Sequence, residues 1–340
     1  MEVTTDQAVT YKRKDFISSQ EPRWCSGCGD YFVFQALTSA FANLGVKKED
    51  FLVVSGIGCS SRLPYYSDTF GFHTIHGRAP TVAMGAHLAN PDLSVWVVTG
   101  DGDGMSIGGN HLVHLLRRNP NINVLLFNNE IYGLTKGQAS PTSKEDLKTK
   151  STPWGSIDAP LDPLSLAITA GAGFVARVVD TNLALMKEVF TAAHKHKGVS
   201  FIEIYTNCVI FNDGVFKPFE GRKERQEATV ELKAGEPLIF GAHKEKAISL
   251  DGFSPKIVSS DADAKESLMV HKPSDPNPLY SHLLANMRYP EHPIPVGILR
   301  DVSTPSYHEV LQRRRSDYTK KVGKRSLKDL FEAGDTWKVP

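Results

Sequence analysis

The chain has 340 residues, with 39 Lys plus Arg against 38 Asp plus Glu and a formal net charge of +1. A balance this close to neutral lacks the basic excess of a nucleic-acid binder, and an apolar fraction of 41% supports a packed core and excludes a disordered chain. No run reaches the roughly 18 apolar residues a bilayer span needs, and the charged and polar residues 1–19 lack a secretory apolar region. A cytosolic protein with no nucleic-acid and no membrane partner is expected.

Residues 1–21 read as a polar arm. The spacing of Phe34, Leu37, Phe41 and Leu44 predicts a helix over 30–44, closed by Gly45. The apolar run 51–55 predicts a buried parallel strand ending at Gly56. The small-residue stretch 81–88 predicts a helix, 93–99 a second buried strand, 109–118 a helix and 123–127 a third strand. Helices over 164–170 and 183–194 and a strand over 200–205 complete the series. Strands alternating with helices at this pitch predict an α/β fold with a doubly wound, mostly parallel sheet. Beyond residue 236 the pattern weakens: nine of the 20 prolines lie between Pro237 and Pro305. The expected organisation is therefore an arm (1–21), a main domain (22–236) and an extended segment (237–340). The apolar islands 237–240 and 296–299 require that segment to pack on the core or on a partner subunit.

The second strand ends in Gly100-Asp101-Gly102-Asp103-Gly104 and the third in Asn128-Asn129, with 25 residues between Gly102 and Asn128. That interval accommodates one helix and the next strand, so both ends fall at the carboxyl edge of a doubly wound sheet, where ligands bind. Asp101 supplies a carboxylate there, Asn129 an amide oxygen and Ile131 a backbone carbonyl. Two diphosphate oxygens and a water would complete the six oxygen ligands Mg²⁺ demands. Gly100 and Gly102 let backbone approach a phosphate closely. A lone Gly-Asp-Gly is commonly only a tight turn. The paired spacing resembles the thiamine diphosphate motif, and with it the diphosphate-binding domain of thiamine enzymes.

The four cysteines are Cys25 and Cys28 in Trp24-Cys25-Ser26-Gly27-Cys28-Gly29, Cys59 just past the first strand, and Cys208 just past the strand over 200–205. Four thiolates hold either a [4Fe–4S] cluster or a tetrahedral zinc, and the spacing does not choose between them. Taken apart, a C-x₂-C is also a dithiol redox pair and Cys208 an ordinary core residue.

The runs WCSGCG (24–29), GIGCSSR (56–62), IHGRAP (75–80) and GDGDG…NN, followed by one downstream cysteine, resemble the β subunit of 2-oxoacid:ferredoxin oxidoreductases over roughly residues 20–240. SSRLPYY (60–66), GGNHL (108–112), NNEIYGLTKGQ (128–138) and NDG (212–214) resemble the 2-oxoglutarate branch. The resemblance implies oxidative decarboxylation of a 2-oxoacid, with the acyl group passing to coenzyme A and the electrons to ferredoxin. It implies thiamine diphosphate and Mg²⁺ as cofactors, one [4Fe–4S] cluster on Cys25, Cys28, Cys59 and Cys208, and a larger α subunit that supplies the carboxylate for the aminopyrimidine ring. Pyruvate or a broad 2-oxoacid range is the alternative substrate, and a non-oxidative thiamine enzyme with a zinc site the alternative activity. A non-catalytic scaffold or electron-transfer module is a further alternative; the presence of Asp101 and Asn129 tells against it.

The same resemblance places His76 against the cofactor, with His73 as a competitor. It makes Ile57, Gly58, Cys59, Ser60, Gly102, Asp103, Gly133 and Leu134 the pocket lining. Arg62 can hold the distal carboxylate of 2-oxoglutarate in a bidentate contact, or form an ion pair with Asp68 or Glu130. Leu134 would shape the substrate pocket, and Lys136 would meet a coenzyme A phosphate or remain an ordinary surface lysine. His111 and His114 read as structural, and the basic run Arg313–Arg315 as a solvated face.

Overall fold

The computed structural model describes residues 10–261, 268–337 and 339. The first part of the expected arm, residues 1–9, lies outside them. Eight strands form one sheet: β1 (Phe51–Ser55), β2 (Phe70–His73), β3 (Ser94–Gly100), β4 (Ile122–Asn128), β5 (Phe174–Val179), β6 (Ser200–Tyr205), β7 (Thr229–Glu231) and β11 (Ile294–Asp301). β8 (Ile239–Phe240), β9 (Lys246–Asp251) and β10 (Ser254–Ser259) make a small antiparallel sheet. The helices are α1 (Asp30–Asn43), α2 (Leu63–Tyr66), α3 (Ala79–Ala89), α4 (Asp101–Met105), α5 (Gly109–Arg118), α6 (Pro163–Thr169), α7 (Leu183–Lys195), α8 (Lys217–Glu220), α9 (Arg222–Ala228), α10 (Pro278–Ala285), α11 (Tyr307–Val322) and α12 (Leu327–Phe331).

The main sheet runs β2-β1-β3-β4-β6-β5-β11-β7. Its pairs are parallel except for β11 against β5. Inner parallel strands are covered on both faces, so they are apolar throughout. Every residue of β1, β4 and β5 is buried. One face packs Phe34, Leu37 and Phe41 of α1 and Met186 and Phe190 of α7 against Trp96, Val98 and Ile202. The other packs Ala83, Leu112, Leu116, Leu164 and Ile168 from α3, α5 and α6 against Val97, Val124 and Phe201. Helices on both faces of a mostly parallel sheet give the doubly wound α/β architecture that the sequence pattern predicts.

The elements expected from periodicity form with ends displaced by a residue or two: the helix over 30–44 is Asp30–Asn43, that over 81–88 begins earlier at Ala79, and the strand over 93–99 is Ser94–Gly100. Four main-sheet strands lacked a clear local pattern, one of them, β7, only three residues long. β5 carries Arg177 in its middle, β2 is exposed along its length, and β11 contains Pro295 and Gly297. Residues 10–21 are anchored by Phe16, which is fully buried against Phe41 and Phe51, and by the Ser18 amide donating to the Tyr66 carbonyl at 2.8 Å.

Within 237–340, β11 lies between β5 and β7 of the main sheet, and Leu238, Phe240, Ile248, Met269 and Leu284 join the α5–α6 side of the core. α11 and α12 bury no side chain, and Arg313–Arg315 are exposed. Among the described residues no helix is long and apolar enough to cross a membrane.

Candidate active site

Four adjacent parallel strands, β1, β3, β4 and β6, end at one edge of the sheet. Just past those ends stand Cys59, Asp101, Asn129 and Cys208, in that spatial order. The topology therefore brings residues of both expected centres, two of the four cysteines among them, to the carboxyl edge.

One cavity there is lined by Ile57, Gly58, Cys59, Ser60, His76, Asp101, Gly102, Asp103, Asn129, Ile131, Tyr132, Gly133 and Leu134, with Asp30 at its back. Every residue expected at the cofactor or its cation lies on this wall. His73 does not; its ring sits beside Tyr65. Asp101 is 2% exposed, and burial raises its pKa to about 6 despite hydrogen bonds from Ser140 and Thr142. A buried carboxylate short of countercharge is the environment a divalent cation relieves. The three expected cation ligands, Asp101, Asn129 and Ile131, all line this cavity, so the site fits Mg²⁺.

Asp103 is used differently. Its Oδ1 accepts from the amides of Ile57 (3.2 Å) and Gly77 (2.8 Å) and lies 3.2 Å from His76 Nδ1, while Oδ2 accepts from Thr99 Oγ1 at 2.6 Å. The carboxylate thus binds the two loops that carry Ile57 and His76 to the glycine turn. Asp101–Gly104 of the glycine motif themselves form the start of α4, one helix earlier than periodicity indicates.

Gly102 faces Tyr132: a Cβ there would fall 2.1 Å from the ring, whose hydroxyl donates to the Gly102 carbonyl at 3.1 Å. Gly102→Ala is expected to cost about 1–3 kcal/mol by overpacking, read as a lower urea midpoint at unchanged slope.

A second cavity of about 260 Å³ adjoins the first. It is lined by Cys25, Cys28, Cys59 and Cys208 together with Arg23, Arg62, Leu134 and Lys136. Asp30, Cys59, Asn129, Gly133 and Leu134 belong to both walls. Gly27 adopts φ +84°, a left-handed turn that favours glycine, and the Cys28 amide donates to the Cys25 carbonyl at 3.0 Å, curling the C-x₂-C loop. Trp24 Nε1 donates to the Cys59 carbonyl at 2.7 Å and ties that loop to the end of β1. A Cβ on Gly133 would lie 3.5 Å from Cys208 Sγ and 3.8 Å from Cys59 Sγ, so the loop after β4 closes over both sulfurs.

Among the described residues no three His, Cys, Asp or Glu side chains converge on a single metal-ion position. All four thiols nevertheless line the one cavity. Burial pushes the Cys28 thiol far up and Cys59 up to about 11.

Arg62 is half-buried and donates through Nη1 to the Arg23 carbonyl at 3.2 Å. Asp68 pairs with Lys48 at 2.6 Å and Glu130 lines another cavity, so neither anticipated ion pair forms. Arg62, Leu134 and Lys136, expected at the substrate, share the cysteine-lined cavity. His111 contacts Arg78 and lines a separate groove with His114.

Sequence reasoning missed several participants. Asp30 is 3% exposed; its Oδ2 has no hydrogen-bond partner among the described residues, and burial followed by repulsion from Asp180 raises its pKa to about 7. Its position directly after the C-x₂-C-Gly turn was the available signal. Thr142 is also buried, with Oγ1 2.7 Å from Asp101 Oδ2 and 2.9 Å from Asn128 Oδ1. The amide of Asn128 donates to Glu203 Oε1 at 2.8 Å, and Glu203 Oε2 accepts from Arg177 Nε at 2.8 Å.

Residues 56–204 match the family of the thiamine pyrophosphate enzyme C-terminal TPP binding domain. The 2-oxoglutarate oxidoreductase subunit KorB of Mycobacterium tuberculosis is 46% identical over 99% of this chain and 90% of its own. The β subunit of 2-oxoacid:ferredoxin oxidoreductase 1 of Aeropyrum pernix is 47% identical over 56% of this chain and 60% of its own. A solved 2-oxoglutarate:ferredoxin oxidoreductase of Magnetococcus marinus, with 2-oxoglutarate, coenzyme A and succinyl-CoA bound, superposes with a TM-score of 0.77. It is 32% identical, and the match covers 97% of this chain and 98% of that one.

Proposed function

Because this chain belongs to the β-subunit family of 2-oxoacid:ferredoxin oxidoreductases, we propose that it carries the thiamine diphosphate, Mg²⁺ and one [4Fe–4S] cluster of an enzyme that oxidises 2-oxoglutarate to succinyl-CoA and passes the electrons to ferredoxin. The observation that carries this reading is the wall shared by the two cavities. Asp101, Asn129 and Ile131 line one, all four cysteines line the other, and Cys59, Gly133 and Leu134 belong to both. A reaction that removes electrons at one cofactor needs an acceptor next to it, and this partition provides one.

Bound thiamine diphosphate would supply the nucleophilic carbon and electron sink for decarboxylation. The chain's own residues divide the remaining work. Asp101, Asn129 and the Ile131 carbonyl would hold Mg²⁺ on the diphosphate. Asp103 fixes the loops carrying Ile57 and His76 on either side of the site. Cys25, Cys28, Cys59 and Cys208 would ligate the cluster as thiolates, releasing the protons that burial holds on Cys28 and Cys59. The carboxylates on the cofactor wall are Asp30, Asp101 and Asp103. Asp101 is assigned to the cation and Asp103 is occupied by protein donors, and the aminopyrimidine carboxylate would come from the α subunit, as the family resemblance implies. Leu134 would limit substrate length, and Lys136 would meet a coenzyme A phosphate; both line the cysteine-lined cavity.

Anaerobic iron and acid-labile sulfide analysis should give about four of each per chain. Stoichiometric zinc without iron would overturn the cluster assignment. Cys208→Ser should bleach or destabilise the broad visible absorbance near ~400 nm; an unchanged spectrum would remove Cys208 from the ligand set.

A further inference from the structure

The connection from β4 to α6 spans residues 129–162, long for a loop without its own secondary structure, and such loops usually serve a site. Its segment Ser140-Pro141-Thr142-Ser143 folds back under the sheet edge, with Ser140, Thr142 and Ser143 all buried. Ser143 Oγ donates to the Glu130 carbonyl at 2.6 Å and accepts from the Ser140 amide at 2.8 Å, locking the turn in place. Ser140 Oγ stands 3.3 Å from Thr142 Oγ1. The result is one buried hydroxyl, Thr142 Oγ1, within hydrogen-bond reach of both Asp101 and Asn128.

We infer that Thr142 is a positioning residue for the cation site: its hydroxyl donates to the Asp101 carboxylate and fixes it, and the Ser140–Ser143 turn, locked by Ser143 Oγ, holds that hydroxyl in place. A hydroxyl carries one proton and two lone pairs, so Thr142 donates to one oxygen at a time. The ionised carboxylate, with the shorter contact, is the stronger acceptor. Asn128, whose Oδ1 accepts from the Glu130 amide at 3.2 Å, is the second oxygen that hydroxyl can reach, and it is held by Glu203, whose charge is matched across the ladder by its register partner Arg177. Both members of that ion pair are 1% exposed. A ligand carboxylate held in this way is oriented before the cation arrives, and loss of such outer partners typically costs 10–100-fold in metal affinity. The inference rests on the Mg²⁺–diphosphate reading of Asp101 made above.

The test compares Thr142→Val, which keeps shape and removes the hydroxyl, with Thr142→Ser, which keeps the hydroxyl, in the complex with the α subunit. Mg²⁺ is titrated calorimetrically at saturating thiamine diphosphate. Far-ultraviolet circular dichroism and the visible spectrum verify the fold and the iron–sulfur centre. Thr142→Val should bind Mg²⁺ roughly 10- to 100-fold more weakly, and Thr142→Ser should stay within about 3-fold of wild type. Wild-type affinity in Thr142→Val would overturn the positioning role, as would equal weakening in both variants, which would make shape rather than the hydroxyl responsible. If the wild-type complex showed no Mg²⁺-dependent binding of thiamine diphosphate, the cation reading itself would fall and this inference with it.

Discussion

Asp101→Ala should abolish Mg²⁺-dependent binding of thiamine diphosphate and leave the iron–sulfur absorbance intact. Asp101 is the ionisable member of the proposed ligand set, and it sits 2% exposed beside Asn129 and Ile131. Removing one partner of a buried charge pair costs about 3–5 kcal/mol, at least 100-fold in affinity. Only Cys59 of the four cysteines borders the cavity of Asp101, and the hydrogen bonds that anchor the cysteine loops, Trp24 Nε1 to the Cys59 carbonyl and the Cys28 amide to the Cys25 carbonyl, do not involve Asp101, so the cluster should survive. Calorimetry with thiamine diphosphate and Mg²⁺ on the reconstituted α–β complex decides it: wild-type affinity would reduce the glycine turn to a structural element. A pH dependence follows from the same burial. Burial raises the Asp101 pKa to about 6 when no cation is bound, so protons compete with Mg²⁺ below that value. Apparent Mg²⁺ affinity should be flat above about pH 7 and fall by up to about tenfold per pH unit below pH 6. A flat profile down to pH 5 would mean that Asp101 does not ligate the cation.

The parts of this molecule legible in the sequence are those whose cause is local. β1, β3, β4 and β6 are covered on both faces, so each shows as an apolar run, and the residues just past their ends inherit a place at the sheet edge. That is why Cys59, Asp101, Asn129 and Cys208 could be placed before any coordinates. β5 was obscured because Arg177 interrupts Phe174–Val179, and the partner that makes the charge tolerable, Glu203, is 26 residues away. β2 pairs with β1 on one side but all four of its residues are exposed, so burial left no mark on it. Asp30 and Thr142 are hidden for a related reason. Each reaches the site through a tertiary fold-back, one from the head of α1 and the other from the middle of the long loop after β4. No hydrophobic period encodes such a return. The separation of the two cavities was equally invisible: sequence spacing brings Arg62 near the cofactor, while the structure gives it a place beside the sulfurs.

Arg62→Leu should reduce turnover of 2-oxoglutarate far more than turnover of pyruvate. The guanidinium lies three residues past Cys59, half-buried, with a hydrogen bond from Nη1 to the Arg23 carbonyl, and Asp68 is already paired with Lys48. Donor capacity therefore remains for an incoming carboxylate. A five-carbon 2-oxoacid with a second carboxylate needs a cation there, because a buried carboxylate without a partner costs several kcal/mol. Pyruvate has no such group. Loss of one charge-assisted bidentate contact amounts to about 2–4 kcal/mol, or roughly 30- to 1000-fold in kcat/KM for 2-oxoglutarate. The competing role for Arg62 is electrostatic: its charge lowers the Cys59 thiol against the burial that raises it, and it would equally stabilise an anionic cluster. The two roles separate experimentally, because a cluster defect penalises every 2-oxoacid alike and shows in the visible spectrum. The measurement is kcat/KM for both acids, wild type against variant, in the reconstituted complex at matched iron content. A selective loss assigns Arg62 to the distal carboxylate. Equal losses assign it to the cluster or to the carboxylate that all 2-oxoacids share, and the 2-oxoglutarate preference would then rest on Leu134, Lys136 or the α subunit.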